Sequence, residues 1–424
     1  MTQNRLQLDG KQAVPRTRKA SAAGLIFCLA AVVCGGTDAN DHQHHPSQAH
    51  QASPKTEAER QALLLDARAA LAVGDSASAL NLLDAAAAIS HSADTELLTL
   101  QAQMQAGDYR GALMFASHTA GAHLHEPDAL ALYVWMLALG EQRVEARRLL
   151  DAGLKRLPDN ALLQAMQQQL ARTEAGATPE LAPQSARVRP GPVGVGATVP
   201  TEAQVAGSGL LLGGGRLALV GLASGQANAQ LWVRNGLGQA SKARLVQSVQ
   251  SLGLALLSLE APLSLAQSTL HRAPRNAFAG SAATAFTLLA APTPQPAWPA
   301  MYRGFLGRVS ASSQYQDLGL DLPVVPNGGP VFDQAGRWIG ISLASADGAP
   351  KLAPLSALQA ALGSYFDTIP VQPQGSPLAL DQQYEQALPL TVQVLVRTRA
   401  NHDPQSLARH SMLFQPKFPI SAHL

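Results

Sequence analysis

Three short turns punctuate the first half of the chain at a fixed interval. Gly74-Asp75, Gly107-Asp108 and Gly140-Glu141 stand 33 residues apart, each between two stretches rich in alanine and leucine. A period of this length specifies stacked helical hairpins, because a single hairpin cannot bury its apolar face and a stack can. Glycine at such a turn permits the positive φ that ends a helix. A small residue follows each turn and lets neighbouring helices approach closely: Ala79 with Leu80, Ala112 with Leu113, and Ala146 with Leu149. In LKRLPDN, Pro158 stops the last hairpin.

This pattern, over residues 56–173, resembles tetratricopeptide repeats, as three units and a capping helix. The large aromatics of that family are mostly absent, apart from Tyr109, Tyr133 and Trp135. The resemblance implies a protein or peptide partner held on a concave helical face.

Aromatics make up only 4% of the 424 residues, so alanine, leucine and valine must build the cores. A formal net charge of +2 does not describe a general polyanion binder. No basic patch with interleaved aromatics points to a nucleic-acid partner. The charge is uneven. Residues 57–174 hold 9 Lys/Arg and 15 Asp/Glu, and residues 205–363 hold 10 and 5. Opposite signs offer the two regions a means of docking.

Residues 1–39 read as a signal peptide or anchor. Arg16, Arg18 and Lys19 precede an apolar run over 20–33, and Thr37-Asp38-Ala39 offers a small-residue cleavage site. The expected location is the bacterial periplasm or outside the cell, with inner-membrane anchoring if the run is retained. Membrane contact is expected through this segment alone. Both cysteines, Cys28 and Cys34, lie in it, so a cleaved chain has no disulfide, no thiolate metal site and no cysteine nucleophile. Residues 40–55 form a His-rich linker. His42, His44, His45 and His50 read as adventitious metal binders, and neither metal nor cofactor is implied. A Pro/Gly-rich linker spans 174–204.

From Val205 the pattern changes to short runs such as RLALV, AQLWVRN and ARLVQSV, bounded by Gly, Asn or Ser. Such runs predict strands of a barrel or sandwich over 205–363. A C-terminal extension over 364–424 carries a predicted helix at 381–388, broken by Pro389, and a strand at 391–396. The tail from Arg397 shows no periodicity.

Three landmarks in this second half resemble trypsin-like serine proteases of the bacterial envelope. They are GSGLLLGGGRLALV at 207–220, SLGLALLSLEAPL at 251–263, and VVPNGGPVFDQAGRWIGI at 324–341. The resemblance implies an all-β double barrel and assigns the general base to Ala223, the acid to Gly253 and the nucleophile to Asn327. None of these can do that work. A serine hydroxyl needs a base to take its proton, and the base needs a carboxylate to fix its tautomer. Pro326 also lacks the N–H of an oxyanion turn. His271, the one histidine in 205–363, follows the acid segment, whereas the family order needs it before, and it reads as a surface loop residue. Ser310, Ser312 and Ser313 lack a Gly-x-Ser-Gly-Gly setting. Gly328, Gly329 and Pro330 survive as a tight turn, and Gly207, Ser208 and Gly209 are expected to serve another. Asp317 and Asp321 lie in the predicted loop before Asn327. Cleft candidates for binding are Asn327, Gly328, Gly329 and Asp321.

The expected fold is therefore multidomain, an α-helical tetratricopeptide-like solenoid followed by an all-β trypsin-like double barrel. The expected function is an exported, non-catalytic scaffold or adaptor, a pseudoprotease. The alternative is an active serine endopeptidase whose landmarks are misread.

Overall fold

The computed structural model describes residues 54–174, 191–222, 226, 229–288, 294–309, 314–322, 328–344 and 349–397. The expected signal segment, the His-rich linker, Ala223, the serines at 310–313, Asn327 and the tail after Arg397 lie outside them. No helix among the described residues is long and apolar enough to cross a membrane.

Seven helices form three hairpins and a closing helix, as the period requires. They are α1 (Pro54–Ala72), α2 (Ser76–Ile89), α3 (Ala93–Ala106), α4 (Tyr109–Ala122), α5 (Pro127–Leu139), α6 (Arg143–Arg156) and α7 (Ala161–Glu174). The Gly-Asp pair does two jobs at each of the first two turns. Gly74 and Gly107 adopt φ of 84° and 89°, which ends one helix. The Asp75 and Asp108 side chains then accept from Ser78 N and Gly111 N, at 3.0 and 2.9 Å, and start the next. The small residues at Ala79, Ala112 and Ala146 are fully buried.

At the third turn the expectation of a positive φ on glycine is corrected. Glu141 takes the left-handed conformation, at φ 59°. Gly140 is held at φ −84°, and a Cβ there would lie 2.3 Å from the Tyr109 hydroxyl. Glycine is required at 140 for space, not for backbone freedom.

Thirteen strands follow among the described residues. In the first barrel are β2 (Gln204–Leu212), β3 (Leu217–Gly221), β4 (Gln230–Asn235), β5 (Gln239–Val249) and β6 (Leu254–Leu259), with a short β1 (Val195–Gly196) added parallel to β5. The sheet runs β5-β4-β13-β2-β3-β6, and a β5–β6 pairing closes it. The sixth strand is β13 (Thr391–Arg397), which arrives from the C-terminal extension and inserts between β2 and β4. Val392, Val394 and Val396 fill the barrel interior with Leu211, Val220, Val233 and Leu257.

The second barrel is closed from β7 (Ala282–Thr287), β8 (Ala300–Val309), β9 (Gln316–Gly319), β10 (Pro330–Phe332), β11 (Trp338–Ala344) and β12 (Pro350–Pro354), in the order β10-β11-β12-β9-β8-β7. Short helices α8 (Leu355–Leu362), α9 (Ser364–Asp367) and α10 (Leu380–Ala387) carry the chain back to the first barrel. Gly207, Ser208 and Gly209 lie inside β2 rather than at the expected turn. A Cβ on Gly209 would lie 2.5 Å from the Leu219 carbonyl of the paired strand, so the small residue serves close strand approach. Asp317, expected in a loop, is on β9 and pairs with Lys351 of β12 at 2.9 Å, directly across the ladder.

Helices and barrels share one apolar core. Tyr109 of α4 and Tyr384 of α10 stack at 4.1 Å, and Phe286 of β7 meets Tyr384 edge-on at 6.2 Å. The Tyr109 hydroxyl donates to the Met136 carbonyl and the Tyr384 hydroxyl to the Pro299 carbonyl, so neither phenol is buried unsatisfied. Burial pushes both phenols well above their ordinary pKa and keeps them donors. The ion pair at this contact, Arg110 with Glu385 at 2.9 Å, places the cation on the helical side. Apolar and aromatic packing, not the net charge of each region, carries the docking.

Two outcomes follow from these contacts. Val394→Asp puts a carboxylate inside the first barrel with no partner and is expected to unfold the chain, a cost above about 4 kcal/mol. Loss of the cooperative transition in circular dichroism checks it. Glu141 is half-buried, and burial raises its pKa despite the neighbouring Arg143 and Arg303. The folded state therefore disfavours its charge, a penalty present above the raised pKa and relieved as pH falls through it. Glu141→Gln is expected to melt higher than the parent at pH 7. The gap should close as the pH falls below the ordinary carboxylate value, and a gap that widens on acidification contradicts the assignment.

Candidate functional site

The three landmark loops meet where the two barrels join. Strand β3 ends at Gly221, directly opposite Leu254 of β6. The Leu222 N–H donates to the Gly253 carbonyl at 3.3 Å. The chain leading to the assigned base position thus reaches the assigned acid position at Leu222, and Ala223 itself lies outside the described residues. Gly328, the residue after Asn327, reaches the same place from the second barrel. A Cβ on Gly328 would sit 2.1 Å from the Ser208 carbonyl and 2.3 Å from the Gly221 nitrogen.

Backbone constraints explain the surviving glycines. Gly328 has φ 103° and donates its N–H to the Ser342 carbonyl at 2.9 Å. The Gly329 carbonyl accepts from both the N–H and the hydroxyl of Ser342, at 2.8 and 3.0 Å. A Cβ on Gly329 would lie 2.4 Å from the Phe286 carbonyl. These contacts tie the turn to β11 and β7 and leave no room for any larger residue.

Gly253 is different. It follows a single 3-10 turn at Gln250–Leu252 and adopts φ 63°, ψ 28°. Its N–H donates to the Gln250 carbonyl at 3.2 Å. Among the described residues, no atom other than those of its chain neighbours lies within 4 Å of where its Cβ would be. The assigned acid position has a left-handed backbone that L-residues adopt at a cost. The Tyr315 hydroxyl and Gln314 Nε2, from the lead into β9, both donate to the Ser251 carbonyl in this turn. Both donors address backbone, and neither brings a carboxylate to the assigned acid position.

The remaining candidates do not join this cluster. Asp321 is exposed and contributes to the field that raises the pKa of Glu141, beside the α5–α6 turn. The His271 carbonyl accepts from Trp338 N at 2.8 Å, on a segment whose neighbour Arg272 donates to the Ile369 carbonyl and lies 4.6 Å over the Phe366 ring. That expected surface loop residue is half-buried, beside the bridge that Arg272 makes to Trp338 of β11. No group of three or more His, Cys, Asp or Glu among the described residues could hold a metal ion.

Ser208 and Gly221 form the floor under Gly328; in the sequence Ser208 stood out only as part of the expected turn, and Gly221 did not stand out. Their signal is weak, a small residue inside a strand pattern where the backbone of another segment approaches.

Two closed six-stranded antiparallel barrels in tandem, with landmark loops converging at their junction, define a trypsin-like double barrel, here preceded by helical hairpins. No family model and no curated protein matches the chain. Among solved structures it is similar to the MamO protease domain of Magnetospirillum magneticum in its apo form, at 15% identity and a TM-score of 0.28, over 38% of this chain and 90% of that one. A serine endoprotease from Yersinia pestis matches at 16% identity and 0.30, over 38% of this chain and 58% of its own length. Deg5 matches at 19% and 0.29, over 37% and 82%. At these identities and TM-scores the likeness carries no information on activity.

The two glycines are expected to separate in mutagenesis. Gly253→Ala meets only the left-handed backbone, about 1–2 kcal/mol. Gly328→Ala adds collisions with two backbone segments and is expected to cost roughly 2–4 kcal/mol or to prevent folding. Urea midpoints of the two variants check the order.

Proposed function

We propose that the chain is an exported, non-catalytic adaptor of the bacterial envelope, in which tetratricopeptide-like helices and a protease-like barrel bind protein or peptide partners. The observation that carries this reading is the state of Gly253. The position that should hold the acid has no side chain, turns its backbone left-handed and gives its carbonyl to Leu222. Alanine at 223 and asparagine at 327 supply neither base nor nucleophile. His271, the sole histidine between 205 and 363, has its backbone committed to Trp338. Recognition without chemistry remains open to the barrel, because extended peptides bind through main-chain hydrogen bonds and side-chain pockets.

The run over residues 20–33 would direct export or anchor the chain. Its retention or removal is read by N-terminal sequencing of protein recovered from the envelope.

A fluorophosphonate probe, which reacts only with an activated hydroxyl, tests the central reading. The purified full chain is expected to remain unlabelled and to leave casein intact. Stoichiometric labelling of one serine, with proteolysis abolished by its replacement, would establish the rival reading of an active endopeptidase.

A further inference from the structure

The stretch that leads from the helices into the first barrel is held as a ligand would be. Residues 191–197 (GPVGVGA) run past α3, the α1–α2 turn and the start of β5. Helix α3 reads their main chain. Gln101 Nε2 donates to the Gly191 carbonyl at 2.9 Å, and Val193 N donates to Gln105 Oε1 at 3.3 Å. Residues four positions apart lie on one helix face, about 6 Å apart along the axis. Two residues of extended chain advance about 6.6 Å. The glutamine pair thus matches the repeat of an extended backbone and addresses no side chain. Gln105 is itself held in place, since its Nε2 donates to the Leu71 carbonyl of α1 at 2.8 Å.

Two side chains fill the seat. Val193 packs against the cluster that Leu64, Leu71, Leu83 and Leu98 form among α1, α2 and α3. Val195 meets the α1–α2 turn at Gly74, where a Cβ would lie 3.0 Å from Val195 Cγ1. The barrel completes the seat by strand addition. Val195 N donates to the Gly238 carbonyl at 2.9 Å and Ala197 N to the Ala240 carbonyl at 2.8 Å, the parallel pairing of β1 with β5. Strand β5 has that edge to offer because its ladder with β6 begins only at Ala243. A Cβ on Gly238 would lie 2.2 Å from the Val193 carbonyl, and one on Gly196, at φ 87°, 2.5 Å from the Ala240 carbonyl. Glycine on both sides lets the two backbones meet.

The hold is light. Within 191–197 only Pro192 is buried, Val193 and Val195 are half-buried, and Gly194 and Gly196 are exposed. Three of the seven residues are glycines, which lose the most freedom when ordered. Segments with few buried contacts are the first to open.

We propose that residues 191–197 are a built-in pseudo-ligand, seated where an extended, uncharged segment of a partner binds, with valines at alternate positions and glycine after the second. Release of this strap opens the site and reseating closes it. The inference rests on the adaptor reading for its purpose: a helical region that takes peptides is autoinhibited by its own chain.

Calorimetric titration of the full chain with an acetylated, amidated peptide of residues 191–197 tests it. Val193→Asp with Val195→Asp sets two carboxylates against apolar surface and is expected to eject the strap while a cooperative melt persists. That variant is expected to bind one equivalent of the peptide, at least about 100-fold tighter than the parent, whose strap competes from the same chain. Adding Gln101→Ala is expected to weaken the peptide about tenfold. The peptide with aspartate for both valines is expected not to bind. No binding to the ejected variant overturns the proposal, as does equal binding to the parent or equal binding of the aspartate peptide. A parent dimer that the double substitution dissolves would show the seat filled by a second copy, and overturns it too. If the variant does not fold, hydrogen exchange of the parent decides. The amides of Val193, Val195 and Ala197 are expected to exchange well before the β2–β13 ladder, and exchange only together with that ladder is the overturning result. Fluorophosphonate labelling reads the adaptor proposal separately, because it senses an activated hydroxyl and not this strap.

Discussion

The insertion of β13 between β2 and β4 is the constraint on which the rest of this structure depends. Without it the first barrel is an open sheet with two unpaired edges, a form that natural proteins avoid. The chain must therefore complete the second barrel and return before the first can close. That return sets everything around it. It lays α10 against α4, slots Tyr384 between Tyr109 and Phe286, and brings Gln393 opposite Arg234. Contacts so distant in sequence are slow to form, because the entropy of closing the loop is lost before the pairing repays it.

How much of this was legible follows from where each signal resides. The helical hairpins were legible because period, turn glycine and small packing residue are all local. The third turn shows the limit of that reading. Gly140 sits at the right interval, but its reason is Tyr109, a residue on another hairpin, and Glu141 bears the positive φ. TVQVLVR reads as a strand from its residues alone, yet nothing in it names its neighbours. Six of its seven residues are buried, which is the mark of a central strand covered on both faces. Gly328 and Gly329 were legible as backbone features, but that Ser208 and Gly221 are the neighbours that require Gly328 was not.

Gly328 and Gly253 are glycine for different reasons. Gly328 is fixed by its surroundings, since two backbone segments occupy the space a side chain would need. At Gly253 the left-handed backbone is the constraint, since no described residue beyond its neighbours approaches where a Cβ would be. Once the acid position is glycine, the backbone is free to turn left-handed and to cap the short turn before β6. Restoring a carboxylate then requires a change of chain path as well as of side chain.

The helical region cannot be treated as an appendage. Each intra-hairpin turn is engaged on the barrel side: Gly74 lies on Val195, Gly107 on Ala266 and Leu237, and Glu141 feels the charges of Arg303 and Asp321. Because successive helices run in opposite directions, the turns between hairpins, at residues 90–92 and 123–126, lie at the far end. With residues 191–197 seated, a partner of the repeats must therefore use that far end or the exposed helix faces. Any displacement it causes meets a continuous apolar core running from α3–α7 through Tyr109, Tyr384 and Phe286 to the second barrel. Close-packed cores transmit strain rather than absorb it. Displacement of the helices and the shape of the second barrel are for that reason mechanically linked.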